Sequence, residues 1–308
     1  MKHGLTDMRI LPYSGRERAT PRVVFVRALA YAQTMIRADL HNHTLAAHGQ
    51  DTVNDMYKAA SKRHVDWYGL SEHSPLPPGY SCPLYKGDLN VTFPAYVEAV
   101  LALKDNALPG GPRVLLGMEL DWLPVNMGWM ESLLGRYPFD YVIGGLHFVH
   151  DVPIGSPRSW GEGLALPERF ARYEAYYEEM ARLAASGFVD VVAHPDFIKV
   201  CCYDDFQDWL RQPGSLDIVA RALEAMRQQD VAMEVSSAGL RKAFHEPYPG
   251  PAIMGLAADL GLDICFGSDA HAAAETVSHF DDLARYARSY GFSRNRIAVG
   301  RERRWLEF

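Results

Sequence analysis

The stretch Asp39-Leu40-His41-Asn42-His43 follows a short apolar run (Met35, Ile36, Ala38), and the same event recurs along the chain. Apolar runs at 66–70, 114–117, 141–145, 188–193, 231–235 and 264–267 each contain or lead into an acid or a histidine. These are His73, Glu119, His147, His194, Glu234 and Asp269-Ala270-His271 in turn. Runs this short suit buried strands. Between them lie segments with helical spacing: Val53, Met56, Tyr57 and Ala60; a helix opened by Pro94 with Val97, Val100 and Leu101; one at 127–134. Further helices run from Pro167 to a stop at Gly187, from Ser215 through Ile218, Val219, Leu223 and Met226, from Pro251 to Gly261, and over 277–290 before a short tail. Seven strands alternating with helices imply an α/β fold with a parallel sheet covered by helices. The polar residues sit at the carboxyl ends of different strands, which suits a barrel. An open doubly wound sheet would concentrate its site at one crevice, and no Gly-rich phosphate loop marks one.

In an extended strand Asp39, His41 and His43 point the same way. Two imidazoles at i and i+2 then grip one ion, while Asp39 orients one of them. The full candidate ligand set is His41, His43, His48, His73, Glu119, His147, His194, Asp269 and His271. Imidazole and carboxylate without thiolate suit Zn, Mn or Fe. The set exceeds the needs of one ion, so two or three divalent ions are expected, with Glu119 as the bridging carboxylate. Glu72 precedes His73 and should face away from it, in a supporting role. The stripe Tyr173, Tyr176, Tyr177 reads as a helix packing face. His3, His64, His150, His245 and His279 are read as ordinary surface or core residues.

The net charge of −7 argues against a nucleic-acid partner, because phosphate backbones need a basic footprint. Cys82, Cys201, Cys202 and Cys265 form no CxxC pattern, so neither a disulfide framework nor a thiolate zinc site is indicated, and a reducing cytoplasm is expected. The segment 23–36 is interrupted by Arg27, Tyr31 and Gln33 and is too short to span a bilayer. Residues 1–34 read as an extension outside the core, with Met35 an adequate alternative start, and 35–308 as a single domain.

Asp39-Leu40-His41-Asn42-His43, Glu72-His73, Gly117-Met118-Glu119, His147, His194-Pro195-Asp196 and Ser268-Asp269-Ala270-His271, in that order, resemble the polymerase-and-histidinol-phosphatase (PHP) superfamily from about residue 36 onward. Two longer strings are similar to its monofunctional histidinol-phosphatases. They are Ser71-Glu72-His73-Ser74-Pro75-Leu76-Pro77, and Glu234-Val235-Ser236-Ser237-Ala238-Gly239-Leu240-Arg241-Lys242 with Glu246-Pro247-Tyr248-Pro249. The resemblance implies a distorted, TIM-like (β/α)7 barrel with a trinuclear centre at the carboxyl ends of its strands. Carried over by position, His41, His43, Glu119 and Asp269 would hold one ion, Glu119, His147 and His194 a second, and His48, His73 and His271 a third. It further implies hydrolysis of L-histidinol phosphate, a small phosphorylated substrate, by a metal-activated water.

Arg158, Lys199, Arg241 and Lys242 are the basic candidates for the phosphoryl oxygens, and Asp269 or His271 for the proton of the leaving alkoxide. Asp196 or Glu234 would pair with the substrate ammonium. The competing readings are a PHP phosphoesterase acting on another small phosphate or a nucleotide, a non-catalytic or proofreading PHP module, and a metal-dependent amidohydrolase. The last would want a lysine at a central strand end, where only Lys199 comes near.

Overall fold

The computed structural model describes residues 35–82, 85–154 and 163–308; the extension read at 1–34 lies outside the described residues. Seven strands, β1 Ala38–Asp39, β2 Trp67–Leu70, β3 Arg113–Asp121, β4 Tyr141–Gly145, β5 Val191–Val192, β6 Ala232–Ser236 and β7 Ile264–Gly267, lie side by side in chain order. Every neighbouring pair is parallel. Past the regular strands, the Leu40 N–H donates to the Phe266 carbonyl at 3.0 Å and the His43 N–H to the Ala270 carbonyl at 2.8 Å. These bonds join the last strand to the first. The sheet is thereby nearly closed into the expected α/β barrel.

Helices α1 Val53–Ala60, α2 Leu89–Asp105, α3 Met127–Leu134, α4 Leu166–Ala185, α5 Tyr203–Leu210, α6 Ser215–Gln228, α7 Pro251–Leu260 and α8 Phe280–Ser289 alternate with the strands. A large apolar cluster fills the layer between helices and strands. A smaller one fills the barrel itself: Ala38, Leu40, Leu115, Tyr141, Ile143, Val191, Ala193, Ala232 and Cys265. Tyr141 is its largest member, and it fits because two neighbours are glycines. A Cβ on Gly69 would stand 2.0 Å from the Tyr141 hydroxyl, and one on Gly117 2.3 Å from its ring.

Three local expectations change. Helix α2 begins at Leu89 rather than at Pro94, because Asp88 caps it by accepting from the Asn90 N–H at 2.9 Å. Pro94 falls in the second turn, where it forgoes one hydrogen bond without ending the helix. Helix α8 begins at Phe280 rather than near 277, because Val277 and His279 take φ of 56° and 58°. A β-branched residue rarely enters that region; here Asp39 accepts the Val277 N–H at 3.0 Å and holds it there.

The expected tail is a hairpin, β8 Arg294–Val299 against β9 Glu302–Glu307. Gly300 and Arg301 turn it with φ of 60° and 66°, the mirror-type geometry that matches strand twist. Ile297 and Ala298 enter the barrel cluster. Arg301 N–H donates to the Asp140 carbonyl at 2.8 Å and Arg296 to the Asp190 carbonyl at 2.9 Å, both just ahead of strand starts. The hairpin therefore plugs the amino-terminal mouth of the barrel and leaves the other mouth for the side chains that follow. No helix among the described residues is long and apolar enough to cross a membrane.

The fit around Tyr141 sets a test. Gly117→Ala should lower unfolding free energy by about 1–3 kcal/mol, the usual cost of overpacking. Denaturant unfolding measures it, and pairing the change with Tyr141→Leu should return part of the loss.

Candidate metal centre

Strand β3 is the longest of the barrel, and its Glu119 is wholly buried at the carboxyl mouth. Its Oε2 stands 3.3 Å from His41 Nε2, 3.4 Å from His43 Nε2 and 2.9 Å from His73 Nδ1. Its Oε1 stands 3.4 Å from His147 Nε2 and 3.1 Å from His194 Nε2. One carboxylate thus joins two sets of imidazoles. Gly145 on the adjoining strand makes room, since a Cβ there would come within 2.7 Å of Oε1.

On the first side, His41 and His43 face each other Nε2 to Nε2 at 3.1 Å, and Asp269 Oδ1 reaches His43 at 3.2 Å and His41 at 3.8 Å. On the outer side, His48 Nε2 lies 2.9 Å from His73 Nε2 and 3.2 Å from His271 Nε2. Ligand atoms of His41, His43 and Glu119 gather within reach of one ion, as do those of Glu119, His147 and His194. Two groupings differ from the expected partition: His73 and His271 meet with His43, and His73 and His147 meet with Asp121.

These contacts fit cations. Glu119 Oε2 accepts no hydrogen bond despite its three imidazole neighbours, and the buried His73 Nδ1 makes none either. Donors around a tetrahedral ion at 2.0–2.1 Å are about 3.3 Å from one another, and the distances above scatter about that value. The charges agree. Burial raises the Glu119 carboxyl, but His41, His147 and His73 outweigh it and hold it well below the usual carboxylate range. Burial lowers His43, but hydrogen bonds to Asp269 and Glu72 overcome that and raise it to about 9. His48 and His271 are driven down to about 3 and about 4 by burial and by neighbouring imidazoles. A donor set pulled both ways at such short range is completed by positive charge at its centre.

A ring of acids behind the imidazoles fixes them. His41 Nδ1 bonds Glu234 at 2.8 Å, His43 Nδ1 bonds Glu72 at 3.2 Å, and His147 Nδ1 bonds Asp121 at 2.7 Å, so each turns Nε2 inward. Tyr85 donates to the other Asp121 oxygen at 2.8 Å. Glu72 does support the site, and it also accepts from the backbone and hydroxyl of Thr44 at 2.8 and 2.6 Å. Asp121 and Tyr85 were missed in the sequence. Asp121 stands two residues beyond Glu119 on β3, so strand alternation was the available signal for it.

Several expected roles are corrected. Asp39 orients no imidazole: its carboxylate takes the Ser268 N–H, the Ser268 hydroxyl and the Val277 N–H. The regular strand ends at Asp39, so alternation does not carry it to the side of His41 and His43. Glu234 faces no substrate, because it is buried between His41 and the His194 N–H, which it accepts at 2.7 Å. Lys199 is fully buried, and its three donors are spent at 2.8 Å each on Asp196, Glu246 and the Pro247 carbonyl, leaving none for phosphate. Asp196 is taken in turn by Lys199 and the Gly250 N–H.

Arg241 does stand at the centre, donating to the Asp269 carbonyl at 2.8 Å and the Ser278 hydroxyl at 3.1 Å. Lys242 is exposed beside it. Arg158 lies outside the described residues.

A PHP domain model matches residues 39–238. A relative in Deinococcus radiodurans, named probable histidinol-phosphatase, is 30% identical over 263 residues, covering 82% of this chain and 93% of its own. The histidinol-phosphatase of Bacillus subtilis is 24% identical over 263 residues, covering 78% and 96%. Among solved structures, the histidinol phosphate phosphatase of Lactococcus lactis, complexed with zinc, L-histidinol and phosphate, superposes with a TM-score of 0.67 at 15% identity, covering 87% of this chain and 98% of that one.

The carboxylates should set how strongly each cation is held. Of the three expected ligand sets, only His48, His73 and His271 contain no carboxylate, so an ion held there should leave first in a chelator titration followed by elemental analysis. Glu234→Gln should weaken retention at His41 and His43 by about 10–100-fold, read by competition with a chromophoric chelator.

Proposed function

The chain belongs to the PHP-domain family, and on that premise we propose that it is a metal-dependent phosphomonoesterase that converts L-histidinol phosphate to L-histidinol and phosphate. It would serve histidine biosynthesis in the cytoplasm. The observation that carries the reading is the Glu119 carboxylate shared between two imidazole sets, 2.9–3.4 Å from each nitrogen. His41, His43, Glu119 and Asp269 would hold one divalent ion, His147, His194 and Glu119 a second, and His48, His73 and His271 a third. Zinc, manganese or iron bound there would act as Lewis acids toward the phosphoryl oxygens and make water nucleophilic at neutral pH.

The chain's own groups do the rest. Asp269 has a partly open side chain, 15% exposed, whereas Glu119 is closed off. Burial raises its pKa, but His41, His43 and His271 outweigh that and keep it ionised. Being ionised and partly open, it would accept the proton of the attacking water, and that proton, or one relayed by His271, would return to the leaving alkoxide. Arg241 is held in place by the Asp269 carbonyl, the Ser278 hydroxyl and an ion pair of its Nε with Glu275 at 3.6 Å, and the second N–H of each terminal nitrogen would be offered to phosphoryl oxygens as negative charge redistributes. The buried frame of Glu72, Glu234 and Asp121 keeps the imidazoles aimed, so little reorganisation accompanies the reaction.

The purified, metal-replete protein should release phosphate from L-histidinol phosphate with kcat/KM about a hundredfold above that for p-nitrophenyl phosphate or dinucleotides, and chelator should abolish the activity. A nucleotide or another small phosphate preferred over histidinol phosphate would replace the substrate assignment. His41→Ala, Glu119→Gln and Asp269→Asn should each cost several orders of magnitude in kcat while circular dichroism stays unchanged. Arg241→Ala should raise KM by a larger factor than it lowers kcat; an unchanged KM would remove Arg241 from the site.

A further inference from the structure

Lys199, spent on a buried network, points to what that network supports. Its ammonium lies 4.8 Å from the Tyr248 ring and 5.3 Å from the Phe244 ring. Its partner Glu246 also accepts from the Tyr203 hydroxyl at 3.2 Å, and Tyr203 stacks on Phe244 with centroids 5.1 Å apart and planes 8° from parallel. Phe197, on the turn that follows His194, places its ring 4.8 Å from His194, 5.5 Å from His147 and 6.2 Å from Tyr248. Phe197, Tyr203 and Phe244 are each only half-buried, although they adjoin fully buried groups.

Aromatic faces are thus fixed beside the second imidazole set, while Arg241 stands beside Asp269 on the first. Arg241 suits an anion, and the rings beside His147 and His194 suit a flat apolar or weakly cationic group. A phosphomonoester spanning the cage would put its phosphoryl oxygens toward the arginine and its alcohol portion toward the rings.

We infer that Phe197, linked through Tyr248 to the stacked Tyr203 and Phe244, forms the leaving-group subsite and selects phosphomonoesters whose alcohol carries a flat aromatic ring. The inference rests on the phosphomonoesterase reading of the cage and adds which part of the substrate is recognised where. The wall is rigid because a buried ion-pair network holds it from behind, so a ring docks without first ordering the loop.

The test compares 2-phenylethyl phosphate with ethyl phosphate, two alkyl esters that differ in the ring, using the metal-replete full chain. Wild-type protein should favour the phenylethyl ester in kcat/KM, and Phe197→Leu should lower that ratio by about tenfold. Phe244→Leu, on a more open loop, is the second variant should Phe197→Leu fail to fold. A fall of about threefold or more in either folded variant supports the subsite. A smaller change in both, or a wild-type protein indifferent to the ring, overturns it. No turnover of either ester or of L-histidinol phosphate would overturn the phosphomonoesterase reading itself and this inference with it, and no turnover of the two esters alone would overturn the subsite. Turnover with an unmoved ratio would overturn the subsite alone.

Discussion

A carboxylate with no access to water must be paid for by the groups around it, and Glu119 sets that condition for the whole carboxyl mouth. Five imidazole nitrogens stand within 3.4 Å of its two oxygens. Removing a charge from water is costly unless partners and hydrogen bonds compensate. Here the partners come from the ends of several strands, so the barrel must close before compensation is complete. The crowding also explains glycines that conformation alone would not demand. A Cβ on Gly267 would lie 2.1 Å from Glu234 Oε1 and 2.5 Å from the His41 Cβ, and one on Gly145 would strike Glu119 and His147.

The two mouths of the barrel use charge differently. At the amino mouth, Arg296 is buried yet fully engaged, with Asp230 at 2.7 Å and the Asp190 carbonyl at 2.9 Å. Its partners are acids and carbonyls arranged around a cation the chain supplies itself. At the carboxyl mouth, acids and imidazoles converge with no lysine or arginine among the described residues touching Glu119. One end is electrostatically complete and fastens the terminal hairpin; the other calls for cations from outside. That division of stability from chemistry is the one barrel folds commonly make.

Much of the architecture could be read from the chain because each barrel strand is a short apolar run ended by a polar residue. The convergence of His41, His43, His73, Glu119, His147 and His194 followed from that rule alone. What escaped depended on distant partners or on where alternation stops. Glu72 lies past the end of β2 at Leu70, so its turn toward His43 could not be counted from the strand. Lys199 looks like a surface base beside His194 until Glu246 and Pro247, nearly fifty residues later, fold over it. The hairpin at 294–307 was hidden by the charged run Arg301-Glu302-Arg303-Arg304, whose side chains face solvent while Ile297 and Ala298 on the facing strand carry the burial.

The acids behind the imidazoles decide how the cage presents itself. A neutral imidazole has one N–H and one lone pair, and a carboxylate at Nδ1 takes the N–H and commits Nε2 as donor to a cation. His41, His43 and His147 are committed in this way by Glu234, Glu72 and Asp121. His271 is held more weakly, through a 3.1 Å contact of Nδ1 with the Asp269 carbonyl, and His73 turns Nδ1 rather than Nε2 toward Glu119. The donors are therefore rigid where Glu119 and Asp269 supply negative charge and adaptable on the outer side. That asymmetry suits a phosphoryl group, which needs fixed charge around phosphorus and a compliant rim through which phosphate departs.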